Sequence, residues 1–333
     1  MLAALMTIVL AGGMNGSFAA PMSRVRGWQW EHTWLLWSIL AMFVIPASVM
    51  AATVPNVGAV YRTAGLAAIV STALYGMVWG AGTVLFGLGI ARVGIALSFG
   101  IILGTSSSVG TLVPLLILRR GRALSHADLF VLMGAGFVLM GVAFSAWSGL
   151  LREATRSERV KRSSFVAGLI VCFLSGIGSS CMSLALNEST PISNAARALG
   201  TSEAASLNAV WPILLGGGAL VNVLYCVLLF IRHRNLAHFR QSASVNTAWV
   251  ALMAILWSGS NFVYGFGARG LGPLGLVVGW PIFMAVIVLS ANAWGVLKGE
   301  WRSAGTGAVA WATAGCLLLI AGIWIVAWAG NSG

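Results

Sequence analysis

About ten stretches of largely apolar residues follow one another along the chain, near 2–20, 34–53, 64–88, 93–118, 128–149, 165–186, 208–231, 246–266, 273–297 and 306–329. A helix needs about 20 such residues to cross a bilayer. Backbone inside a bilayer must satisfy its own hydrogen bonds, so each stretch reads as a spanning helix. Charged residues make up 8% of the chain, against about 25% in a soluble domain. That leaves too little charge for a water-soluble surface. The connections between stretches are too short to separate two folded cores, and the expectation is one polytopic membrane domain over 1–333.

Two of the stretches resemble each other. Trp79-Gly-Ala-Gly-Thr-Val-Leu-Phe-Gly-Leu-Gly is echoed at Trp257-Ser-Gly-Ser-Asn-Phe-Val-Tyr-Gly-Phe-Gly. The register shift pairs Trp79 with Trp257, Phe86 with Tyr264, Gly87 with Gly265, and Gly89 with Gly267. The most charged segment, Arg152 to Arg162, joins five spans to five. An odd number of spans per half inserts the two halves with opposite topology, and secondary transporters are commonly built in this way. The fold expected is an all-α membrane protein of about ten transmembrane helices in two inverted five-helix repeats, 1–151 and 163–331.

The net charge of +12 is spread over short loops rather than gathered with aromatics into one patch, which excludes nucleic acid as a partner. Lys and Arg counts in alternate loops set orientation. Thirteen fall in one set and six in the other, so the richer set is expected in the cytoplasm, with both termini outside. Residues 2–20 are expected to be retained, because no positive charge precedes their apolar run as a signal peptide requires. Cys172, Cys181, Cys226 and Cys316 lie inside apolar runs without a C-x-x-C spacing and read as packing residues. No zinc, cofactor or hydrolase motif is present in the sequence, and an enzyme is the least favoured class.

Polar groups inside a membrane are expensive and are functional candidates, although Ser, Thr and Asn also hold helices together. Asn15 and Ser17 follow Gly12 and Gly16, a G-x-x-x-G spacing that admits a close helix neighbour. Thr105-Ser-Ser-Ser108 sits mid-span, where four adjacent hydroxyls cover every helix face, and Ser107 is taken as its cavity-facing member. Asn187, Asn222 and Asn261 offer amides to a hydroxylated ligand, and Asn292 lies nearer a basic helix end. Trp79, Trp257 and Trp280 lie within spans, where an indole face suits the apolar face of a sugar; tight packing beside glycine is the alternative for the first two.

A proton-coupled carrier needs a titratable group. Asp128 and Glu203 read as helix caps. Glu31, within Trp28-Gln-Trp-Glu-His-Thr-Trp34, is the proton-coupling candidate because flanking indoles would desolvate it. The alternative is an interfacial carboxylate paired with Arg24 or Arg26. Glu188 ranks second.

An ordered set of pieces runs the length of the chain. It comprises Ala20-Pro-Met-Ser-Arg-Val-Arg-Gly-Trp-Gln-Trp-Glu31, Gly76-Met-Val-Trp-Gly-Ala-Gly82, Phe86-Gly-Leu88, Gly110-Thr-Leu-Val-Pro114, Leu184-Ala-Leu-Asn187, Gly216-Gly-Gly-Ala219 with Asn222, and Leu297-Lys-Gly-Glu-Trp301. In these the sequence resembles the bacterial L-rhamnose–proton symporters of the drug/metabolite transporter superfamily. The resemblance implies ten helices as two inverted repeats and sugar uptake coupled to protons across the bacterial inner membrane. It departs from the family pattern at Thr83 and Phe86, where an Asn and a Tyr are expected. The resulting expectation is an importer of L-rhamnose or a similar sugar. The alternatives are an exporter of the same superfamily and a membrane sensor without transport.

Overall fold

The computed structural model of the chain describes residues 1–93, 101–106, 109, 110, 113, 125–154, 162–272, 275–297 and 304–329. Those residues are helical, joined by turns, and include no strand. In order they form α1 Leu2–Ser17, α2 Trp30–Thr53, α3 Val57–Ala64, α4 Leu66–Val93, α5 His126–Ala154 and α6 Arg162–Glu188. After these come α7 Thr190–Ala198, α8 Trp211–His233, α9 Ala243–Gly270, α10 Gly275–Leu297 and α11 Thr306–Ala329. Among the described residues, eight helical segments are long and apolar enough to cross a membrane. The fourth expected span, 93–118, falls largely outside the described residues, and the ninth is represented by α10.

Proline and glycine explain the local geometry. In α2 the α-helical pattern widens to a π segment at Leu40–Val44, just before Pro46. Proline has no N–H to return to the carbonyl four residues earlier and its ring crowds that carbonyl, so the preceding turn opens. The helix ends at Thr53, and Val54 is extended at φ −114° and ψ 107°, the region left to a residue preceding proline. At the far end of α8, Arg234 takes a left-handed cap conformation, φ 51° and ψ 38°. The chain there turns back beneath the start of α2. At α5 the cap lies three positions before the expected Asp128: Ser125 takes the cap position, and its N–H and hydroxyl both donate to Asp128 Oδ2, at 2.7 and 2.8 Å. That is a reciprocal capping box.

Small residues set the helix contacts, as they do where lipid supplies no hydrophobic drive between helices. The Gly12/Gly16 face of α1 lies on α10, where a Cβ at either position would stand 2.6 Å from Val286 or Ser290 Cβ. Helix α4 packs on α6 and on α8. Gly82 abuts Gly178, Gly80 abuts Gly218, and the Ser175 hydroxyl donates to Gly82 O at 2.7 Å. On the other side α9 packs on α1, with Gly267 against Ala4 and Ile8. Helices α5 and α11 pair through Gly141 with Gly315 and Gly134 with Gly322, and the Ser148 hydroxyl donates to Ala308 O.

The arginines gather at the helix ends surrounding the α1–α2 and α8–α9 connections, which carry Arg24, Arg26, Arg232, Arg234 and Arg240. At the opposite end the short α3 and α7 pack on each other. There the Tyr61 hydroxyl donates to Ala209 O at 3.0 Å, and burial pushes its pKa up to about 12. The connection after α6 forms a short helix with Ile192, Ser193, Ala195 and Ala196 on its buried face.

Candidate functional site

Five indoles stand in unbroken ring contact through the middle of the molecule. Trp30 stacks on Trp34 at 5.0 Å between centroids, Trp34 meets Trp37 at 4.5 Å, and Trp37 meets Trp257 edge-on at 5.1 Å. Trp257 then stacks on Trp79 at 5.7 Å with 24° between planes. The two repeat-related tryptophans thus lie against each other, 5% and 7% exposed. Trp79 also presses on Gly218, where a Cβ would stand 2.5 Å from its ring. These indoles come from α2, α4 and α9, and small residues on α8 let them in.

Asn222 of α8, wholly buried, ties the ladder to its neighbours. Its Oδ1 accepts from the Trp34 indole N–H at 2.8 Å and from the Thr83 hydroxyl at 3.0 Å. Its Nδ2 donates to Gly218 O at 2.9 Å and Gly80 O at 3.3 Å. Thr83, one of the departures from the family pattern, is therefore a partner of Asn222. Beyond Trp257, Asn15 Nδ2 donates to Ser260 Oγ at 2.8 Å. Asn261 donates to Trp257 O at 3.0 Å, and Asn292 likewise bonds back into its own helix, to Val288 O.

Trp280 belongs to a second aromatic group with Tyr264 and Phe283, its ring 5.8 Å edge-on from Tyr264. The Trp280 Nε1 and Tyr264 hydroxyl are buried without a partner among the described residues, while Ser183 and Trp280 both crowd Gly110. A buried donor without an acceptor is costly, and such groups are where a hydroxylated guest finds bonds ready to make. The remaining expected residues lie apart from both groups. Ser17, at the arginine-rich end of α1, donates to Gly13 O and accepts from Trp294. Asn187 lies at the opposite end, on the last turn of α6. Ser107 lies outside the described residues.

At the arginine-rich end Glu31 is buried, 4% exposed. Neither Arg24 nor Arg26 is its partner: Oε1 accepts from Asn235 Nδ2 at 2.6 Å and lies 2.9 Å from His233 Nδ1. His32, next in sequence and fully buried, sets Nε2 3.0 Å from Asn235 O and lies over His238 with ring planes 18° apart. At the opposite end Glu203 is not a cap; its carboxylate lies between Arg197 at 2.6 Å and Arg269 at 3.8 Å.

Comparison with known proteins places this chain in a family. The family model described as L-rhamnose-proton symport protein (RhaT) matches residues 1–331. Similar proteins include the L-rhamnose-proton symporter of Cronobacter sakazakii, 30% identical, and that of Klebsiella pneumoniae, 28% identical. Each alignment covers 91% of this chain and 90% of the relative. The chain belongs to the L-rhamnose-proton symport family.

For this family member, the residues expected from sequence are brought together in part. Trp79, Trp257, Asn222, Asn15 and Asn261 line one continuous region, and Trp280 lies in the neighbouring group. Trp34, Trp37, Thr83, Tyr264, His233 and Asn235 were not among the expected residues. A signal for two of them existed: the shift that pairs Trp79 with Trp257 pairs Tyr264 with Phe86, and Thr83 is a lone hydroxyl in the apolar, glycine-rich stretch 76–91.

Proposed function

We propose that this protein imports L-rhamnose together with protons across the bacterial inner membrane by alternating access. The observation that carries this reading is membership of the symport family over residues 1–331, joined to a helical chain whose described part holds eight membrane-length spans.

The finer architecture proposed is ten spans in two inverted five-helix repeats, 1–151 and 163–331. Equivalent positions make equivalent contacts, which supports this. Gly80 of α4 meets Gly218 of α8, and its counterpart Ser258 of α9 bonds Ala41 O of α2. Gly82 of α4 meets α6, and its counterpart Ser260 bonds Asn15 of α1. Trp79 and Trp257 meet each other, as counterparts beside a pseudo-two-fold axis do. Carriers of this kind hold their substrate at such an interface.

In the proposed site, Asn15, Asn222 and Asn261 bond sugar hydroxyls, and Trp79, Trp257 and Trp280 present ring faces to the apolar side of the ring. Ser107, outside the described residues, is assigned as a further hydroxyl for the sugar, and Ser17 and Asn187 act at the two approaches. Glu31 carries the coupled proton. The test is uptake of labelled L-rhamnose into proteoliposomes with and without an inward pH gradient. Gradient-driven accumulation of L-rhamnose is expected, and its loss in Trp257→Ala with the protein still folded. No uptake under any gradient would sink the substrate assignment, and outward pumping alone would make the chain an exporter.

A further inference from the structure

We infer that Glu31 and His233 act as one proton-transfer dyad, with His233 as the residue that hands the coupled proton to water at the arginine-rich end. This rests on the reading of Glu31 as the proton site and of that end as cytoplasmic.

The two groups meet at 2.9 Å but differ in access, the Glu31 side chain being 5% exposed and that of His233 44% exposed. A buried carboxylate with one aqueous-facing imidazole on it has the layout of a proton relay. The step balances simply. A proton held on Oε1 passes to Nδ1 of the Nε2–H tautomer, leaving carboxylate and imidazolium. The imidazolium then gives its Nε2 proton to water, leaving the Nδ1–H tautomer donating to the Glu31 carboxylate, with one proton delivered.

The charged and titratable groups facing the pair are named for each element packed around it. They are His32 from α2, Cys226 from α8 and His238 from the α8–α9 connection, while the surrounding helix ends and connections carry Arg24, Arg26, Arg232, Arg234 and Arg240. None is a carboxylate, and of the two other imidazoles His32 turns its Nε2 to Asn235 O rather than to Glu31. Asn235 fixes the geometry by donating to the same oxygen.

The dyad is also joined to the centre of the molecule. Glu31 lies on the same helix as Trp30 and Trp34, and Trp34 donates to Asn222 on the helix that ends in His233. Helices α2 and α8 are therefore tied at two levels, in the ladder by Trp34–Asn222 and at the end by Glu31–His233. Loading or unloading the proton changes the charge across the second tie, and movement at the first is felt there. At the opposite end, among the described residues, the carboxylate Glu203 is instead held by Arg197 and Arg269, and arginine does not give up its proton. Of these two ties between helix ends, only the one at the arginine-rich end contains an imidazole, a side chain that can both accept and donate a proton.

The experiment compares wild type, His233→Gln and Glu31→Gln in proteoliposomes. L-rhamnose counterflow without a gradient is measured from about pH 5 to pH 8, alongside accumulation driven by a pH gradient. His233→Gln is expected to keep counterflow, to lose the pH dependence of that exchange, and to slow coupled uptake on the order of a hundredfold. Wild-type accumulation and pH profile in His233→Gln would overturn the inference. If Glu31→Gln alone is uncoupled, the dyad falls while Glu31 stands as the proton site. If both variants stay coupled, both readings fall. A His233→Gln protein that is stable and binds L-rhamnose yet exchanges none would make the residue structural, and that also overturns it.

Discussion

Replacing Asn222 by leucine should remove three interhelical hydrogen bonds at one position. They run from Trp34 on α2 and Thr83 on α4 to Oδ1, and from Nδ2 to Gly80 O. Between membrane helices such bonds contribute about 0.6 kcal/mol each, which gives about 2 kcal/mol. The bond to Gly218 O is within α8 and counts little. Thr83 keeps a partner in Gly80 O, so the Trp34 N–H is the donor left bare, adding about 1 kcal/mol. Leucine fills a similar volume, so no cavity contributes. The expected loss is about 3 kcal/mol, and Trp34→Phe alone should lose about 1 kcal/mol. The assay is reversible unfolding in mixed micelles by rising SDS fraction, followed by far-ultraviolet circular dichroism because the variants alter the tryptophan count. A double-mutant cycle should return a Trp34–Asn222 coupling between about 0.6 and 1.7 kcal/mol. Coupling of zero, or an Asn222→Leu protein as stable as wild type, would refute the hub assigned to Asn222.

Gly82→Val places a Cβ 2.9 Å from the Gly178 backbone, with no flexible side chain to give way. It should destabilise by about 1–3 kcal/mol, whereas Gly58→Val, with open space at its Cβ, should leave the melting temperature close to wild type in the same scan. Tyr61 holds its proton more tightly folded, at about 12 against 10.0 unfolded. Stability should therefore be flat with respect to this group below about pH 10 and fall as pH rises toward 12. Tyr61→Phe should flatten that alkaline decline in a pH series of melting temperatures; an unchanged decline would assign it to other groups.

Helix positions and contact faces were legible from the residues. Gly12 and Gly16 mark a packing face because a missing side chain leaves one outcome, a close neighbour. The relation of Trp79 to Trp257 was legible as a repeat, but not that the two rings touch, since a repeat states equivalence and not distance. The α2 boundary illustrates what hydropathy hides. Glu31, His32 and Thr33 are polar, so a span reads as beginning at Trp34, yet the helix begins at Trp30 and all three are buried. What covers them is the end of α8 and the turn after it, about 200 residues later. The partners of Glu31 could not be read for the same reason: Arg24 and Arg26 are near in sequence, while His233 and Asn235 are near only once α8 is laid beside α2. Asn222 was legible as a polar residue in a span, and its three partners on other helices were not, because rotation about a helix axis leaves no trace in a strongly apolar sequence.

The indole ladder has an optical consequence. Rings in contact from Trp30 to Trp79 exchange excitation faster than they emit it, so light absorbed by any of the five is shared by all. Fifteen tryptophans would ordinarily give an averaged emission that no single event alters much. Here a quencher or guest touching one rung dims the whole group, which is a third of the absorbers. The emission of the native protein, with no dye attached, then follows the place where α2, α4 and α9 meet.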